Sequence, residues 1–223
     1  AVQDASLAAE ACELIGNAAS ESGGGFFGRG SLSFTLTNVT AEGNSAPDGG
    51  GAYLKESTPV LKGLTMRRNR AAVGAGLLLS GCTSAIIHTS TFEANNASES
   101  ELVETTDSTA AGTVEGGGVF CEDSNLDLLN ITLRANEAHS KAAMQGTGGG
   151  LAARSCVGPL SNVDFDENVA NQAGGVLWKG SAVLRLLDGE FVANVGKVNP
   201  YAGAIMWGGE STEGGGVSGG GMS

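Results

Sequence analysis

Basic residues are scarce in this chain: 12 Lys and Arg stand against 24 Asp and Glu among 223 residues, a formal net charge of −12. A phosphate backbone would be repelled by this charge, so we expect no nucleic-acid partner. No stretch approaches the ~18 continuous apolar residues of a membrane-spanning helix, so we expect no membrane span in this segment. Aromatic residues make up only 5% of the chain, which leaves few side chains that could stack on a sugar.

Residues typical of catalytic and metal centres are also few. His88 and His139 are the only histidines and no third ligand accompanies them, so we expect no zinc site. The glycine-rich runs lack the Gly-Lys-Ser/Thr ending of a phosphate-binding loop, so we expect no cofactor. Five carboxylates, which we interpret as a solvated face, are Asp164, Asp166, Glu167, Asp188 and Glu190. We therefore predict no catalytic residues and no enzyme activity.

Glycine is abundant instead, at 37 of 223 residues, and it follows no three-residue collagen period. One phrase recurs seven times: an apolar or small residue, two residues, Asn, one residue, then Ala or Gly. A repeat of ~20–50 residues predicts a solenoid, in which each repeat is one rung buried by its neighbours. The Asn residues of the seven copies are Asn17, Asn44, Asn69, Asn95, Asn136, Asn168 and Asn194.

Each phrase is followed by a Gly that opens an apolar run. From this Gly to the head of the next phrase the chain runs 15 or 16 residues in every copy, whereas from each Asn to the following Gly it runs 7 to 23. Insertions in a solenoid occupy one face while the stacked rungs keep their length. A rung of about 25 residues holds three short strands rather than two packed helices. These rung glycines are Gly25, Gly51, Gly76, Gly118, Gly150, Gly175 and Gly203.

We therefore predict an all-β fold, a single-stranded right-handed parallel β-helix of the pectin-lyase-like type with about seven rungs. Residues 14–207 form this β-helix. Residues 1–13 form either an N-terminal cap, for which Gln3 to Ile15 offers a helical stretch, or the end of a preceding rung. Residues 208–223 are predicted to be a Gly-rich linker or disordered tail. Because the first phrase is already complete at Leu14 to Ala19, we expect a segment of a longer chain.

The repeated Asn suits a turn, because Asn tolerates left-handed backbone and hydrogen-bonds nearby backbone groups. Identical Asn side chains in rungs ~4.8 Å apart can also bond one another in a ladder. We interpret the seven Asn as scaffold and the rung glycines as residues that permit a sharp bend at the next corner. The alternative is that the Asn row lines a binding groove.

Two short motifs recur together. Phe-x-x-Asn stands at Phe92/Asn95, Phe165/Asn168 and Phe191/Asn194, with Gly50-Gly51-Ala52-Tyr53 and Gly203-Ala204-Ile205 as the Gly-Gly-Ala-apolar half. The pair resembles the repeat of polymorphic outer-membrane proteins, whose passenger regions are right-handed parallel β-helices of the autotransporter type. The resemblance covers roughly residues 14–206 and implies the β-helix fold and an outer-membrane location. Four heads, Leu14, Ala41, Met66 and Leu133, stand where that family has Phe.

The longest insertion, between Asn95 and Gly118, is acidic and rich in Ser and Thr. Binding specificity can change there without disturbing the stack, so we predict a partner-binding loop. The alternative is a solvated loop without a partner. The loop's acidic residues are Glu99, Glu101, Glu104, Asp107 and Glu115.

Two tryptophans and three asparagines are further candidates for surface function. Trp178 and Trp207 occupy matching positions after successive rung glycines and are either a sugar or partner platform or stacked core residues. Asn38, Asn96 and Asn130 match the glycosylation sequon. Asn38 and Asn130 share a register and are alternatively structural turn residues.

Four cysteines, Cys12, Cys82, Cys121 and Cys156, permit three pairings. Cys82 and Cys156 lie two rungs apart, ~9.6 Å, which exceeds the ~7 Å reach between the Cα atoms of a disulfide. A bridge between Cys121 and Cys156 on neighbouring rungs needs a shifted corner. Disulfides and free buried thiols both remain open at this point.

These observations predict a non-enzymatic structural or adhesive β-helix module of a larger cell-surface, secreted or extracellular-matrix protein. Its expected partner is a protein or glycan at a cell surface, contacted through the variable corner loops, with further rungs or subunits at the exposed ends. One alternative is a carbohydrate-binding or carbohydrate-active β-helix protein, such as a polysaccharide lyase or hydrolase. A further alternative is a structural subunit of a larger assembly.

Overall fold

The computed structural model describes residues 1–30, 33–99, 114–140, 146–180, 184–197 and 203–208. These ranges contain no α-helix and are built from short strands. The strands are β1 (Val2–Gln3), β2 (Leu7–Glu10), β3 (Glu13–Ile15), β4 (Phe26–Arg29), β5 (Phe34–Thr37), β6 (Thr40–Glu42), β7 (Ala52–Lys55), β8 (Val60–Lys62), β9 (Thr65–Arg67), β10 (Arg70–Ala71), β11 (Leu77–Ser80), β12 (Ala85–Glu93), β13 (Asn96–Ser98), β14 (Val114–Glu115), β15 (Val119–Glu122), β16 (Leu126–Arg134), β17 (Glu137–His139), β18 (Gly146–Thr147), β19 (Leu151–Arg154), β20 (Gly158–Asp166), β21 (Val169–Ala170), β22 (Val176–Lys179), β23 (Leu184–Leu187), β24 (Glu190–Val192), β25 (Val195–Gly196) and β26 (Ile205–Gly208).

Three long parallel sheets run along the solenoid. Sheet A has the order β1-β4-β7-β11-β15-β19-β22-β26, and sheet C has the order β10-β13-β17-β21-β25. Sheet B follows β2-β5-β8-β12-β16-β20-β23 and also holds β3, β6, β9 and β24. The chain passes through A, B and C once per circuit, which we call a coil. The described residues form seven coils and the first strand of an eighth, which confirms the predicted all-β parallel solenoid.

Sheet register shows that neighbouring strands come from consecutive coils. Leu77 in β11 pairs with Ala52 in the preceding coil and with Val119 in the following coil. Inside the stack, side chains alternate as the sequence predicts: in β16, Leu126, Leu128, Ile131 and Leu133 are all buried. Period-2 alternation places every second side chain in the core.

The bends of each coil are made by single residues with positive φ. Of the described residues with positive φ, all but Gly158 fall in four columns along the stack. Column 1, after sheet A, holds Asp4, Gly30, Glu56, Gly81, Asp123, Ser155 and Gly180. Column 2, within sheet B, holds Ala11, Asn38, Gly63, Thr89, Asn130, Asn162 and Asp188. Column 3, between sheets B and C, holds Gly16, Gly43, Arg68, Ala94, Ala135, Glu167 and Ala193. Column 4, before sheet A, holds Gly23, Gly49, Gly74, Gly116, Gly148 and Ala173.

Column 3 corrects the prediction that the repeated Asn is the left-handed residue. Each of those Asn residues follows the left-handed position: Arg68 has φ 55° and Asn69 comes next. The physical reason is that the left-handed residue turns the chain, while the Asn side chain must point inward to reach the neighbouring coil.

The N-terminal segment is part of the stack. Val2 pairs with Gly28, and Leu7 pairs with Phe34. A helical cap at Gln3 to Ile15 is therefore wrong, because pairing with the next coil outweighs the local tolerance for helix. The predicted tail beyond residue 208 lies outside the described residues.

Candidate functional site

The seven repeated Asn side chains form one continuous ladder. Each Nδ2 donates to Oδ1 of the Asn in the next coil, over distances between 2.9 and 3.1 Å. From Asn44 onward, each Nδ2 also donates to a backbone carbonyl of the preceding coil, as Asn95 does to Met66 at 2.9 Å. Asn44, Asn69, Asn95, Asn136 and Asn168 are fully buried. The ladder points into the stack and offers no groove to a ligand at these five positions.

The rung glycines lie against the ladder and the next coil. A Cβ added at Gly76 would stand 2.4 Å from the carbonyl oxygen of Gly118 and 3.1 Å from Nδ2 of Asn95. Side chains are therefore excluded by close approach of backbone, and column 4 makes the bend itself. Gly203 is misplaced in the predicted series: Val176 pairs with Ile205, so Ala204 is the equivalent of Gly175.

The two longest insertions leave the stack side by side and return side by side. They depart after β13 and β17, where Ser98 pairs with His139, and they return at β14 and β18, where Val114 pairs with Gly146. Ser140 donates its hydroxyl to the carboxylate of Glu99 between the two departing segments. We call this region of coils 4 and 5 the insertion corner. It confirms that the two large insertions fall at one position of the coil.

Of the predicted acidic loop, Glu99 lies at the insertion corner, while Glu101, Glu104 and Asp107 lie outside the described residues. Glu115 contradicts the prediction of a solvent-facing loop residue, because it belongs to β14 and is only 2% exposed. Its carboxylate accepts hydrogen bonds from Thr147 at 3.1 Å and from Arg154 at 2.5 Å. The buried charge is thus paired, and Glu115 anchors the return of the insertion to sheet A.

Trp178 takes the core position, the second of its two predicted positions, and is not part of a surface platform. It lies on the inward face of β22 and is completely buried. The alternation in β22 sends Val176 and Trp178 inward together, so a ligand cannot reach this indole. Trp207 pairs in register with Trp178 in sheet A, and its side chain lies outside the described residues.

The outer face of sheet A carries a cluster that sequence reasoning missed. Tyr53 points outward from β7, and its ring makes an edge contact with Phe27 at 5.5 Å between centroids. In the same face Lys55 pairs in register with Ser80, and Ser80 with Glu122. We call Asp48, Tyr53, Lys55, Ser80 and Glu122 the outer cluster. Its residues come from four successive coils, so only the register between coils could reveal it.

Electrostatics tie the outer cluster together. Burial raises the pKa of the Asp48 carboxyl above its usual value, and the charge of Glu122 raises it further while Lys55 opposes the rise. Burial, helped by the charge of Asp48, raises the pKa of Tyr53 to about 12, and a hydrogen bond with Ser80 acts in the opposite direction. A carboxyl with a raised pKa beside a second carboxylate is an arrangement that can exchange a proton.

The three sequon residues occupy different environments. Asn38 and Asn130 are exposed and lie in column 2, where Asn130 accepts a hydrogen bond from Asn162 at 2.9 Å. Asn96 in β13 is only partly exposed, and its Oδ1 is enclosed without a partner among the described residues. The geometry of Asn38 and Asn130 is therefore that of turn residues with accessible side chains.

One disulfide joins Cys121 and Cys156, with 6.4 Å between the Cα atoms. Cys121 lies in sheet A before the column 1 bend, and Cys156 lies just after that bend in the next coil, which supplies the shifted corner. Both residues are fully buried. Cys12 is free and exposed, and Cys82 is free and buried, with its sulfur 3.6 Å from the Ser57 hydroxyl.

The histidines stand apart from one another. His88 lies on the outer face of β12, with Nε2 3.9 Å from a carboxylate oxygen of Asp127. His139 ends β17 at the insertion corner. The described part of the chain has no group of three or more His, Cys, Asp or Glu side chains that could hold a metal ion.

Fold and site together define a parallel β-helix with a uniform interior, one corner of variable length and one polar cluster on an outer face. The chain belongs to the right-handed β-helix family, since the model of a right-handed β-helix region matches residues 3–181. No curated protein and no solved structure matches the chain. Within the described ranges, no helix has the length and apolar character needed to cross a membrane.

Proposed function

We propose that this chain is a non-enzymatic adhesive module of a larger cell-surface, secreted or extracellular-matrix protein. Its partner is a protein or glycan, contacted through the insertion corner. The observation that carries this proposal is the side-by-side departure and return of the two insertions on an otherwise uniform stack. A rigid solenoid that varies at one corner can present a binding surface without loss of its core.

Two further observations support the location and the family likeness. A fully buried disulfide is typical of proteins that fold in an oxidising compartment outside the cytosol. The Phe-x-x-Asn and Gly-Gly-Ala repeats favour a passenger-like module similar to those of polymorphic outer-membrane proteins. The extracellular location and the likeness to that family are both part of the proposal.

Deleting the insertions provides a direct test, because coil 3 supplies a template. Register places Ala71 beside Ala97 and Val73 beside Glu115. Removal of residues 98–113 therefore joins Ala97 to Val114 with the spacing of coil 3. Removal of residues 139–145 does the same for coil 5, and both coils then run 7 residues from Asn to Gly.

We expect the wild-type chain to bind a ligand in a panel of matrix glycoproteins and arrayed glycans, and the doubly deleted variant to lose that binding. Far-UV circular dichroism and urea unfolding verify that the deleted variant keeps its stack. Equal binding by both proteins, or no binding by the wild type, contradicts the proposal. Turnover of any arrayed glycan contradicts the non-enzymatic part.

A second candidate function, carbohydrate binding or cleavage, is favoured by the outer cluster. The raised pKa of Asp48 suits a proton donor, and Tyr53 with Phe27 offers an aromatic surface. Asp48→Asn and Tyr53→Phe are the variants that test it. This candidate predicts glycan binding or turnover that both variants reduce while the insertion deletions leave it unchanged.

A further inference from the structure

Coils 1 to 3 contain an open cleft at column 3 that the proposed function does not use. Its volume is about 480 Å³, and its lining includes Ile15, Glu42, Ser45, Arg68 and Arg70. The cleft exists because column 3 has glycine in the first two coils. At Gly16 and Gly43 the space that a Cβ would occupy is open, whereas coils 3 to 7 carry side chains at this position.

The cleft lies beside a local concentration of arginine in an acidic protein. Three of the 12 basic residues fall within residues 67–70, in a chain with a formal charge of −12. Arg67 and Arg68 both contact the carboxylate of Glu42, with Arg67 at 2.5 Å. Arg70 is exposed and forms no ion pair with any described residue. Two arginines, Arg68 and Arg70, and one carboxylate line the cleft, so Arg70 is left to meet an anionic ligand.

The other lining groups restrict the class of that ligand. Glu42 remains ionised, because the hydrogen bond from Arg68 lowers the pKa of its carboxyl, and its oxygens retain lone pairs that can accept from hydroxyl groups. The same negative charge repels a polyanion. Ile15 is 56% exposed at the edge of the cleft and offers an apolar contact to a methyl group.

We propose that this cleft binds a sugar that carries one carboxylate, several hydroxyls and an acetamido group, the chemistry of a terminal sialic acid. The carboxylate pairs with Arg70 and Arg68, the hydroxyls bond Ser45 and Glu42, and the acetamido methyl packs on Ile15. A guanidinium suits this role because it binds a carboxylate through two parallel hydrogen bonds. The cleft lies on coils 1 to 3 and contains no residue of the insertion corner on coils 4 and 5, so it stands independently of the proposed function.

Nuclear magnetic resonance titration of the full chain with methyl α-N-acetylneuraminide at low salt tests the proposal. The neutral methyl ester of the same sugar is the matched probe, and we expect it to bind about tenfold more weakly because it lacks the charge. Glucuronate, which has the carboxylate without the acetamido group, is also expected to bind more weakly. Raised salt should weaken binding of the acid.

Three variants localise the binding. Arg70→Gln removes the unpaired charge, and Ile15→Ser removes the apolar contact. Gly43→Asn fills the cleft without changing charge, since Asn tolerates left-handed backbone. We expect each to weaken binding, the first and third by about tenfold, with circular dichroism unchanged. Arg185→Gln, at an exposed site in coil 7, is the matched control and should bind as wild type.

Equal binding of the acid and its ester would overturn the proposal, as would wild-type affinity in both Arg70→Gln and Gly43→Asn. If glucuronate binds as tightly as the sialoside, the acetamido group plays no part in recognition, and the proposed class of ligand is wrong. The insertion deletions remove no residue of this cleft, so binding of sialylated members of the panel should survive them. The adhesion test is therefore read on unsialylated proteins and glycans, and its outcome is separate from that of the present titration.

Discussion

The Nδ2 amide of Asn95 donates to Oδ1 of Asn136 over 3.0 Å, although 41 residues separate the two along the chain. The equivalent bond between Asn44 and Asn69 spans 3.1 Å with a separation of 25 residues. The ladder thus has the same geometry across the longest insertion as across a short coil. Insertions are accommodated entirely outside it.

Asn95→Ala should lower the free energy of unfolding by about 2–4 kcal/mol. Asn95 is fully buried, accepts from the backbone N–H and Nδ2 of Asn69, and donates to the Met66 carbonyl. Truncation leaves these groups without partners. Asn17→Ala is the control in urea unfolding, because Asn17 is exposed at the end of the ladder. This substitution should lower the free energy of unfolding by only about 1 kcal/mol. Equal losses in the two variants would refute a stabilising role specific to the buried ladder.

Gly76→Ala should prevent proper stacking, whereas Gly43→Ala should be tolerated. The added Cβ would lie 2.4 Å from a backbone carbonyl oxygen at Gly76 but in open space at Gly43. At Gly43 the only cost is the left-handed backbone of an Ala, about 1–2 kcal/mol. Circular dichroism melting curves of the two variants provide the comparison. A Gly76→Ala protein as stable as Gly43→Ala would contradict the close approach.

Ala94→Gly should stabilise the protein by up to about 1 kcal/mol, which is unusual for a glycine substitution in a β fold. Ala94 has φ 53° and is exposed, so glycine relieves strain without loss of packing. Ala97→Gly, three residues later at a buried site without positive φ, should destabilise instead. Urea denaturation distinguishes the two. A loss of stability in both variants would argue against left-handed strain at column 3.

Thiol titration should count one reactive cysteine in the native protein, two after denaturation without reductant, and four after reduction. Cys12 is exposed, Cys82 is free but buried, and Cys121 and Cys156 are joined. A colorimetric thiol reagent with and without guanidinium makes the measurement. Four reactive thiols in denaturant alone would exclude the disulfide.

Asp48 should make the protein less stable as pH rises, whereas an ion-paired carboxylate makes a protein more stable as pH rises. Its folded pKa is raised, so the folded state binds more protons, and stability falls as pH rises from about 4 through the folded pKa. Asp48→Asn should therefore gain stability over wild type at neutral pH and lose that advantage below about pH 4. Unfolding curves at several pH values test this. An Asp48→Asn variant less stable at pH 7 would contradict the burial of this charge.

Tyr53 reports on the same cluster. Alkaline titration followed by tyrosinate absorbance, in a Tyr201→Phe background, should give a pKa of about 12 for Tyr53. Asp48→Asn should lower that pKa, because the charge of Asp48 disfavours the tyrosinate. Asp4→Asn, on a different corner, serves as control. If the pKa of Tyr53 is unchanged in Asp48→Asn, the charge of Asp48 does not act on Tyr53.

The scaffold was predictable because its requirements select particular residues. Asn supplies both a donor and an acceptor on a side chain short enough for the ladder, and Gly allows backbone to approach as it does at Gly76, so these residues recur visibly. A left-handed bend does not require one residue type, and Arg68, Ala94 and Glu167 all occupy column 3. The bend therefore leaves no recurring residue in the sequence, and the prediction placed it at the neighbouring Asn. The core position of Trp178 was one of its two predicted positions, and the inward face that it shares with Val176 decides between them.

The outer cluster was beyond sequence reasoning for a different reason. Glu122 meets Asp48 and Tyr53 only because the coils between them stack in one register across an insertion. The local sequence pattern predicts which face of the sheet a side chain occupies. It does not predict which side chains lie beside it from coils two turns away. Glu115 was misassigned likewise, because its strand pairs with β18 rather than with adjacent sequence.

The Asn ladder has a direction. From Asn44 to Asn168, each Asn donates one hydrogen to the Asn oxygen of the next coil and the other to a carbonyl of the preceding coil, so a coil inverted in the stack would set oxygen against oxygen. A whole coil, such as residues 52–76, can be copied or removed and the ladder will still close, since Asn44 and Asn95 present complementary sides. Molecular length in such a protein changes in steps of one coil, about 4.8 Å, and genetic duplication of a single repeat extends it without redesign.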